Sequence, residues 1–179
     1  MTKALVVYES LFGDGRTIAR AIADGLSARL PVTVTAASDA PTTLGPEIGL
    51  LVVGAPNHVT GLPRPATREG ANRDYGLSVD PAAGLREWLD EVRIEGPAIA
   101  AAAYDTRMDH PKLVTKLDHA SRTEEKLLGR LHCRLVAPAE HFLVTSPEGP
   151  LVTGEEERAR AWGATLGDQW EARLAAANG

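Results

Sequence analysis

An anion-binding turn is the first chemical feature of the chain, within residues 5–22, LVVYESLFGDGRTIARAI. The run Leu5–Tyr8 predicts a short strand that leads into a small, glycine-containing turn. A helix patterned on Ile18, Ile22 and Leu26 follows directly. Backbone N–H groups point outward at such a helix start, and the helix dipole favours negative charge. The turn therefore predicts a phosphate-binding site.

A second candidate group for chemistry consists of two histidines and an aspartate. His58 lies shortly after a strand-like run, and Asp105 and His110 follow the next such run. An imidazole with an ordinary pKa near about 6.5 can exchange a proton at neutral pH. If their loops converge, His58, Asp105 and His110 are the predicted catalytic acid–base residues. The alternative for His58 is a loop histidine that hydrogen-bonds the backbone. No metal site is predicted, because no predicted helix carries ligands at matched spacing.

Strand-like and helix-like segments alternate along the whole chain. The strand-like runs are residues 4–8, 32–36, 50–54, 99–104, and 135–137 continuing near 142–144. Helices are predicted near residues 15–29, 82–92, 112–131 and 154–176. Nearly continuous apolar strands are typical of a parallel sheet covered on both faces. The pattern predicts a single α/β domain over residues 1–179, a doubly wound, three-layer αβα fold with five parallel strands in the order 2-1-3-4-5.

Three predicted loops meet at one edge of this sheet. Ligands of doubly wound sheets bind beyond the carboxyl ends of the strands, where the strand order reverses. The loops at that place are residues 9–17, 55–62 and 104–111. They contain the phosphate turn and all three predicted acid–base residues, so the sequence places one ligand cleft there.

The stretch 55–80 is predicted to be a long connection without a helix, because glycine and proline recur along it. Long loops in compact domains are often functional. We expect residues 59–80 to cover the cleft, and part of 64–76 to be removable without loss of the fold. Arg64, Arg68 and Arg73 either attract an anionic ligand to the cleft or belong to a solvated loop.

Composition and charge exclude several classes of function. The 179 residues carry 19 Lys and Arg against 24 Asp and Glu, a net charge of −5, without a basic block, so no nucleic-acid partner is expected. No apolar run approaches the ~20 residues of a membrane span. The lone Cys133 cannot form an internal disulfide and is predicted to be structural. Because the N-terminus runs directly into a strand, we expect a cytoplasmic protein. The oligomeric state does not follow from the sequence.

Several segments resemble the flavodoxin family, and specifically its short-chain, actinobacterial-type members. The first loop matches the phosphate signature of that family at Tyr8, Ser10, Gly13, Ala19 and Ile22. Four further segments are similar to family segments in the same order, and they are GAPNH at 54–58, AAYDTR at 102–107, EGPL at 148–151 and ERARAWGA at 157–164. The resemblance covers nearly the whole chain.

The resemblance implies that the cleft binds flavin mononucleotide (FMN). The residues that it assigns to the phosphate are Ser10, Leu11, Phe12, Gly13, Asp14, Gly15, Arg16 and Thr17. The residues that it assigns to the isoalloxazine ring are Pro56, Asn57 and His58 on one side and Tyr104 and Asp105 on the other. Aromatic residues are scarce in this chain, and Tyr75 is a further candidate for stacking on the ring.

The first loop departs from the family at Asp14-Gly15, where the family usually has Asn-Thr. A carboxylate then lies near the expected phosphate, and two like charges at ~4 Å repel by about 1 kcal/mol in water. Asp14 can instead turn its oxygens onto backbone N–H groups, and Arg16 and Thr17 can replace part of the lost donor set. On this interpretation, Asp14→Asn combined with Gly15→Thr should tighten FMN binding.

Two classes of function follow for the cleft. The first is an FMN-dependent redox protein, either an electron carrier or a small quinone-type reductase, with a small-molecule substrate or a redox partner protein. The alternative is a flavin-free enzyme or ligand-binding protein of the same fold, which would use His58, Asp105 and His110 for non-redox acid–base chemistry. A partner-binding regulatory module is a third possibility. Fold alone does not decide between them.

Overall fold

The computed structural model describes residues 1–57, 61–108 and 120–178. The strands are β1 (Lys3–Tyr8), β2 (Val32–Ala36), β3 (Thr43–Leu44), β4 (Ile48–Pro56), β5 (Arg93–Ile94), β6 (Ala100–Met108), β7 (Arg134–Leu135) and β8 (Glu140–Val144). The helices are α1 (Asp14–Leu26), α2 (Pro65–Tyr75), α3 (Leu85–Glu91), α4 (Ala120–Arg130) and α5 (Glu155–Asn178). Two predicted catalytic residues, His58 and His110, lie outside the described residues.

The central sheet has six parallel strands within the described part of the chain. Its order is β2-β1-β4-β6-β7, and β8 also pairs with β6. β7 lies beside Ala100 and Ala101, whereas β8 lies beside Tyr104–Met108, so both occupy the same edge of β6. Pro138, which has no amide to donate, lies between them. The predicted five-position order is confirmed, with its last position split in two. The pair β3–β5 forms a separate small sheet.

The strands are apolar on both faces because helices cover both faces. On one face, residues such as Val6, Val52 and Ala102 pack in the same core as α1 and α5. On the other face, the neighbouring residues Val7 and Val53 pack in the core that contains α3 and α4. Side chains alternate between these two cores along each strand. This alternation decides which residues at the strand ends reach which side of the sheet.

The stretch 55–80 contains the helix α2, so the prediction of a helix-free connection is wrong there. Pro65 occupies the start of the helix, and the Arg64 amide donates to the Thr67 hydroxyl oxygen at 2.8 Å. Gly76 ends the helix with φ 66°, a left-handed conformation that favours glycine. The helix is largely polar and has few buried residues, which is why hydrophobic periodicity misses it. None of the described helices is long and apolar enough to cross a membrane.

Candidate functional site

The first loop connects β1 to α1 and has a fixed shape. The Glu9 amide donates to the Gly54 carbonyl at 2.8 Å, which ties the end of β1 to β4. The Gly13 amide donates to the Ser10 hydroxyl oxygen at 3.0 Å. Gly13 has φ 108°, in the region that side chains rarely adopt. These contacts bring the chain directly from the strand into the helix.

The N-terminus of α1 presents unused hydrogen-bond donors. Within the described residues, the backbone amides of Asp14, Gly15 and Arg16 have no hydrogen-bond partner. Apart from its chain neighbours, no atom of the described residues lies within 4 Å of the place where a Cβ on Gly13 would stand. The Ser10 hydroxyl, which accepts from Gly13, can still donate its own proton. This first turn therefore has the donors and the open space that an oxyanion needs.

Asp14 directs its carboxylate at the segment that precedes α5. Its carboxylate lies near the Leu151 amide, and its Oδ2 lies 2.2 Å from the place where a Cβ on Gly149 would stand. Gly149 has φ 91°, so glycine is required there for two reasons. Burial raises the pKa of Asp14, and the Leu151 amide opposes that rise. The expectation that Asp14 caps the helix is therefore wrong, because Gly13 is the N-cap of α1 without a side-chain cap hydrogen bond, and the Asp14 carboxylate lies beside an amide from the far end of the chain.

Gly15 leaves no room for a larger residue. A Cβ there would lie 2.8 Å from the Glu9 carbonyl oxygen and 3.2 Å from the Ser10 Cβ. The Tyr104 hydroxyl, which lies in the core between the sheet and α1, donates to the Gly15 carbonyl at 3.2 Å. The expectation that Gly15→Thr restores a useful donor is therefore wrong, because the loop backbone has closed around the glycine.

The remaining side chains of the first loop have different surroundings. The Thr17 hydroxyl donates to the Gly13 carbonyl at 3.3 Å, so it stabilises the helix start. Arg16 is exposed and free to approach an anion. Leu11 and Phe12 are half-buried, and the Phe12 ring contacts Tyr75 edge to face with centroids 5.1 Å apart. The loop thus contacts the last residue of α2.

Arg68 holds α2 to the end of β1 through a buried ion pair. Its side chain is 1% exposed, and its Nε donates to Glu9 Oε1 at 2.7 Å. Its Nη2 donates to Glu87 of α3 at 2.8 Å, and its Nη1 donates to the Pro81 carbonyl at 2.9 Å. The Leu85 amide donates to the other Glu9 oxygen at 2.8 Å. This network joins the first loop, α2 and α3.

The network corrects the predictions for the stretch 55–80. Arg68 is neither a cation that attracts ligands nor part of a solvated loop, because it is buried and paired. Arg73 is 76% exposed beside Asp74, and Arg64 is also exposed. α2 is therefore fixed in place beside the first loop. The prediction that this segment is a removable cover is wrong for α2.

On the predicted ring side, Pro56 and Asn57 are half-buried at the end of β4. The Asn57 amide donates to the Thr106 carbonyl at 2.8 Å, which extends the pairing of β4 with β6. Its side-chain oxygen Oδ1 is buried and accepts no hydrogen bond within the described part of the chain. His58 follows directly, outside the described residues.

Tyr104 does not line the cleft as predicted. Its side chain is fully buried on the α1–α5 side of the sheet. The ring packs edge to face on Phe142 at 5.9 Å and Trp162 at 6.5 Å, and it fills the space above Gly54. Strand alternation places residue 104 in this core, so its ring cannot stack on a ligand in the cleft.

Asp105 lies on the opposite face and is engaged in a buried ion pair. Arg107 donates to both of its carboxylate oxygens, with Nε to Oδ1 at 2.7 Å, and His141 Nδ1 lies 3.2 Å from Oδ2. Burial raises the pKa of Asp105, but hydrogen bonds from His141 and Arg107 outweigh it and leave the pKa below its ordinary value. The predicted triad with His58 and His110 involves residues outside those described. The structure brings Asp105 together with His141 instead.

Sequence reasoning grouped Arg107 with Asp105, but it missed the burial of Arg68 against Glu9 and the contact of His141 with Asp105. The register pairs Asp105 directly with His141, a neighbour that only the sheet order reveals. Within the described residues, no group of three His, Cys, Asp or Glu side chains is arranged to hold a metal ion.

Comparison with known proteins identifies the fold. No protein-family model matches the chain, and no curated protein matches it in sequence. Among solved structures, it is similar to a flavodoxin from the domain Archaea, with a TM-score of 0.62 and 14% identity over 95% of this chain and 99% of the other. Flavodoxin 2 from Bacillus cereus gives 0.59 and 16% identity over 94% and 99%.

A flavodoxin, WrbA-like protein from Agrobacterium tumefaciens gives a TM-score of 0.56 and 16% identity, over 96% of this chain and 99% of that one. These likenesses confirm the predicted fold, which is that of the flavodoxins, over nearly the whole chain. The narrower resemblance to short-chain, actinobacterial-type members stays a prediction.

Proposed function

We propose that this chain is a flavoprotein that binds FMN at the carboxyl edge of its sheet, with the phosphate at the start of α1. The observation that carries the proposal is the set of unpaired amides of Asp14, Gly15 and Arg16 beside the open space at Gly13. They lie between β1 and β4, where the strand order reverses. The flavodoxins among the structural neighbours support the same assignment.

The residues of the first loop would each contribute differently to holding the phosphate. The amides and the Ser10 hydroxyl donate hydrogen bonds, and Arg16 contributes a mobile positive charge. Asp14 is engaged with the Leu151 amide, which reduces the repulsion that the sequence suggested. The site therefore fits a phosphate monoester, with fewer side-chain donors than the family pattern implies.

On the ring side, Pro56 and Asn57 would line the flavin. The unpartnered Asn57 Oδ1 is an acceptor that an N–H of the isoalloxazine ring would satisfy. His58 remains the proposed proton donor beside the ring. When bound, FMN supplies one- and two-electron transfer, so the chain itself needs only to bind and orient it. We propose a role as electron carrier or small quinone-type reductase, acting with a small-molecule substrate or a redox partner protein.

A flavin-free phosphate-binding protein is the second candidate function. It is favoured by the burial of Tyr104 and Asp105, because these two predicted ring-lining residues are engaged in the core. The cleft would then hold the phosphate of another ligand through the same amides of α1, and chemistry would be non-redox.

Titration of the purified protein with FMN, riboflavin and inorganic phosphate separates these candidates. The flavoprotein proposal expects FMN to bind more tightly than riboflavin, since riboflavin lacks the phosphate. Arg16→Ala should weaken FMN binding by about twofold to tenfold, because the contact of one exposed positive charge with the phosphate contributes about 0.5–1.4 kcal/mol. Arg20→Ala, one turn further along α1 and also exposed, is the matched control.

The outcomes point in different directions. Equal affinity for FMN and riboflavin would contradict phosphate anchoring by the first loop. Phosphate binding without binding of either flavin would favour the second candidate function. An equal loss of FMN affinity in both arginine variants would show that Arg16 acts only through the general positive charge of α1 and makes no specific contact with the phosphate.

A further inference from the structure

Glu124 of α4 is a buried carboxyl group that the proposed function does not use. Its side chain is completely buried where α4 packs on β4 and β6. Neither of its carboxyl oxygens accepts a hydrogen bond of ordinary geometry within the described residues. Buried polar groups nearly always have partners, so a carboxyl group in this state needs an explanation.

The surroundings of Glu124 oppose a negative charge. The carboxylates of Asp105 on β6 and of Glu9, the residue after β1, are close enough to act on its charge, and Glu125 adds a further carboxylate from α4 itself. Among the described residues, the cations beside these carboxylates are already engaged, because Arg107 binds Asp105 and Arg68 binds Glu9 and Glu87 of α3. Arg134 of β7, which also packs against α4, is exposed.

Burial, followed by the charges of Asp105 and Glu9, raises the pKa of Glu124 well above its ordinary value. The backbone of Ala55 opposes this rise to a lesser extent. Burial and the surrounding carboxylates therefore both favour the neutral, protonated form of the side chain.

Glu124 lies directly behind the proposed ligand site. Glu9, whose carboxylate acts on its charge, is covalently joined to Ser10 of the first loop. Ala55, which contacts it, precedes Pro56 and Asn57 on the ring side. A charge that appears at this buried position would act on a ligand at the sheet edge with little screening by water.

We propose that Glu124 is a proton-binding site linked to the anionic ligand at the carboxyl edge of the sheet. In its neutral form it permits a phosphate-bearing ligand to bind, and loss of its proton to solvent weakens that binding. Linkage is reciprocal, so binding of the anion makes Glu124 hold its proton more tightly. This inference rests on the proposed binding of FMN.

The test measures the dissociation constant of FMN as a function of pH for wild type, Glu124→Gln and Glu125→Gln. Measurements begin above about pH 7, where a phosphate with a second pKa near 6 is already a dianion. Wild type and Glu125→Gln should lose at least about tenfold in affinity as Glu124 ionises, the effect of one charge on each unit charge of the phosphate at ~10 Å with an effective dielectric constant of ~20. Glu124→Gln should show no such loss.

Glu125→Gln is a matched control because Glu125 adjoins Glu124 and its Oε1 accepts the Ala139 amide at 2.9 Å, a bond that glutamine retains. Infrared spectroscopy of the flavin-free protein gives an independent readout. Wild type should show the carbonyl band of a protonated carboxylic acid, and Glu124→Gln should lack it. Should Glu124→Gln not fold, Glu124→Met serves in its place.

The failures of the two proposals are distinguishable. If wild type binds FMN and Glu124→Gln keeps the same pH dependence, the linkage is overturned and FMN binding stands. If wild type binds no flavin, the proposed function and the linkage fail together. A flavin-free wild type without the protonated-carboxyl band would contradict the neutral state of Glu124 in either case.

Discussion

Single residues of the first loop show how this chain departs from a familiar phosphate signature. Asp14 is accommodated by the Leu151 amide, and Gly15 by close contact with the Glu9 carbonyl. Asp14 and Gly15, the two residues that differ from the family pattern, therefore both fit the particular backbone shape of this loop. Restoring the family residues one at a time would place them in a loop of different shape.

Gly15→Ala should lower the free energy of unfolding by about 1–3 kcal/mol, the usual effect of overpacking, because its Cβ meets the backbone of Glu9 at 2.8 Å. Gly129→Ala in α4 is the matched control, since no side chain or distant backbone atom of the described residues lies within 4 Å of that Cβ. Replacing a helical glycine there should stabilise the protein by about 0.5–1 kcal/mol. Denaturant unfolding measures both, and equal stability of the two variants would contradict the close contact at residue 15.

The raised pKa of Glu124 makes stability depend on pH in a definite direction. Its stabilising contribution is complete below the unfolded pKa of 4.5 and is lost as the pH rises through the folded value. In that interval, wild type should lose up to about 1.4 kcal/mol per pH unit relative to Glu124→Gln, which has no proton to lose. Denaturant titrations at several pH values measure this difference. A constant gap between the two proteins would show that Glu124 titrates normally.

At the scale of elements, α2 is held in place by charge more than by apolar contact. Arg68 and Ala71 are its buried residues, and Arg68 reaches both the end of β1 and α3. The ring contact between Phe12 and Tyr75 adds a second link to the first loop. A segment attached in this way forms one wall of the site. Removing residues across 64–76 would remove Arg68 and leave the Glu9 carboxylate without its ion-pair partner.

Arg68→Met should destabilise the protein by about 3–5 kcal/mol, because it leaves the buried Glu9 carboxylate uncompensated. Arg73→Met on the same helix is the control, and we expect almost no change because that side chain is 76% exposed. The double variant Glu9→Gln, Arg68→Met should recover part of the loss. Thermal and denaturant unfolding measure the stability of the three variants. If Arg68→Met is as stable as wild type, the ion pair does not hold α2 in place, and α2 could be a removable cover after all.

At the scale of the whole molecule, the proposed cleft lies where elements from the entire chain meet. The first loop and the end of β4 form it, and the segment before α5 reaches it through the proximity of Leu151 to Asp14. A ligand that contacts several of these elements should stabilise the native state as a unit.

Saturation with FMN should therefore raise the melting temperature. A concentration of about 100 times the dissociation constant adds about 2.7 kcal/mol, which corresponds to roughly 5–10 °C for a domain of this size. Riboflavin at the same concentration should give a smaller shift, and calorimetry measures both. An identical shift with the two flavins would argue against a phosphate site at α1.

The sequence by itself determined the fold and the place of the candidate site. Continuous apolar runs such as residues 4–8 and 50–54 are local signals of buried parallel strands, and their alternation with helices leaves few topologies. The turn before α1 is also a local feature, because five or six residues and one helix start create its donors. These predictions depended on neighbours in the chain, so they did not require the tertiary structure.

The tertiary structure decided which polar residues belong to the core and which face a ligand. Arg68 and Glu9 are 59 positions apart, and only the packing of α2 beside β1 makes them a buried pair. Tyr104 and Asp105 are adjacent, yet strand alternation sends one to the α1–α5 core and the other to His141. The burial of Glu124, and hence its raised pKa, arises from elements distant in sequence, because the electrostatic environment of a side chain depends on everything packed around it.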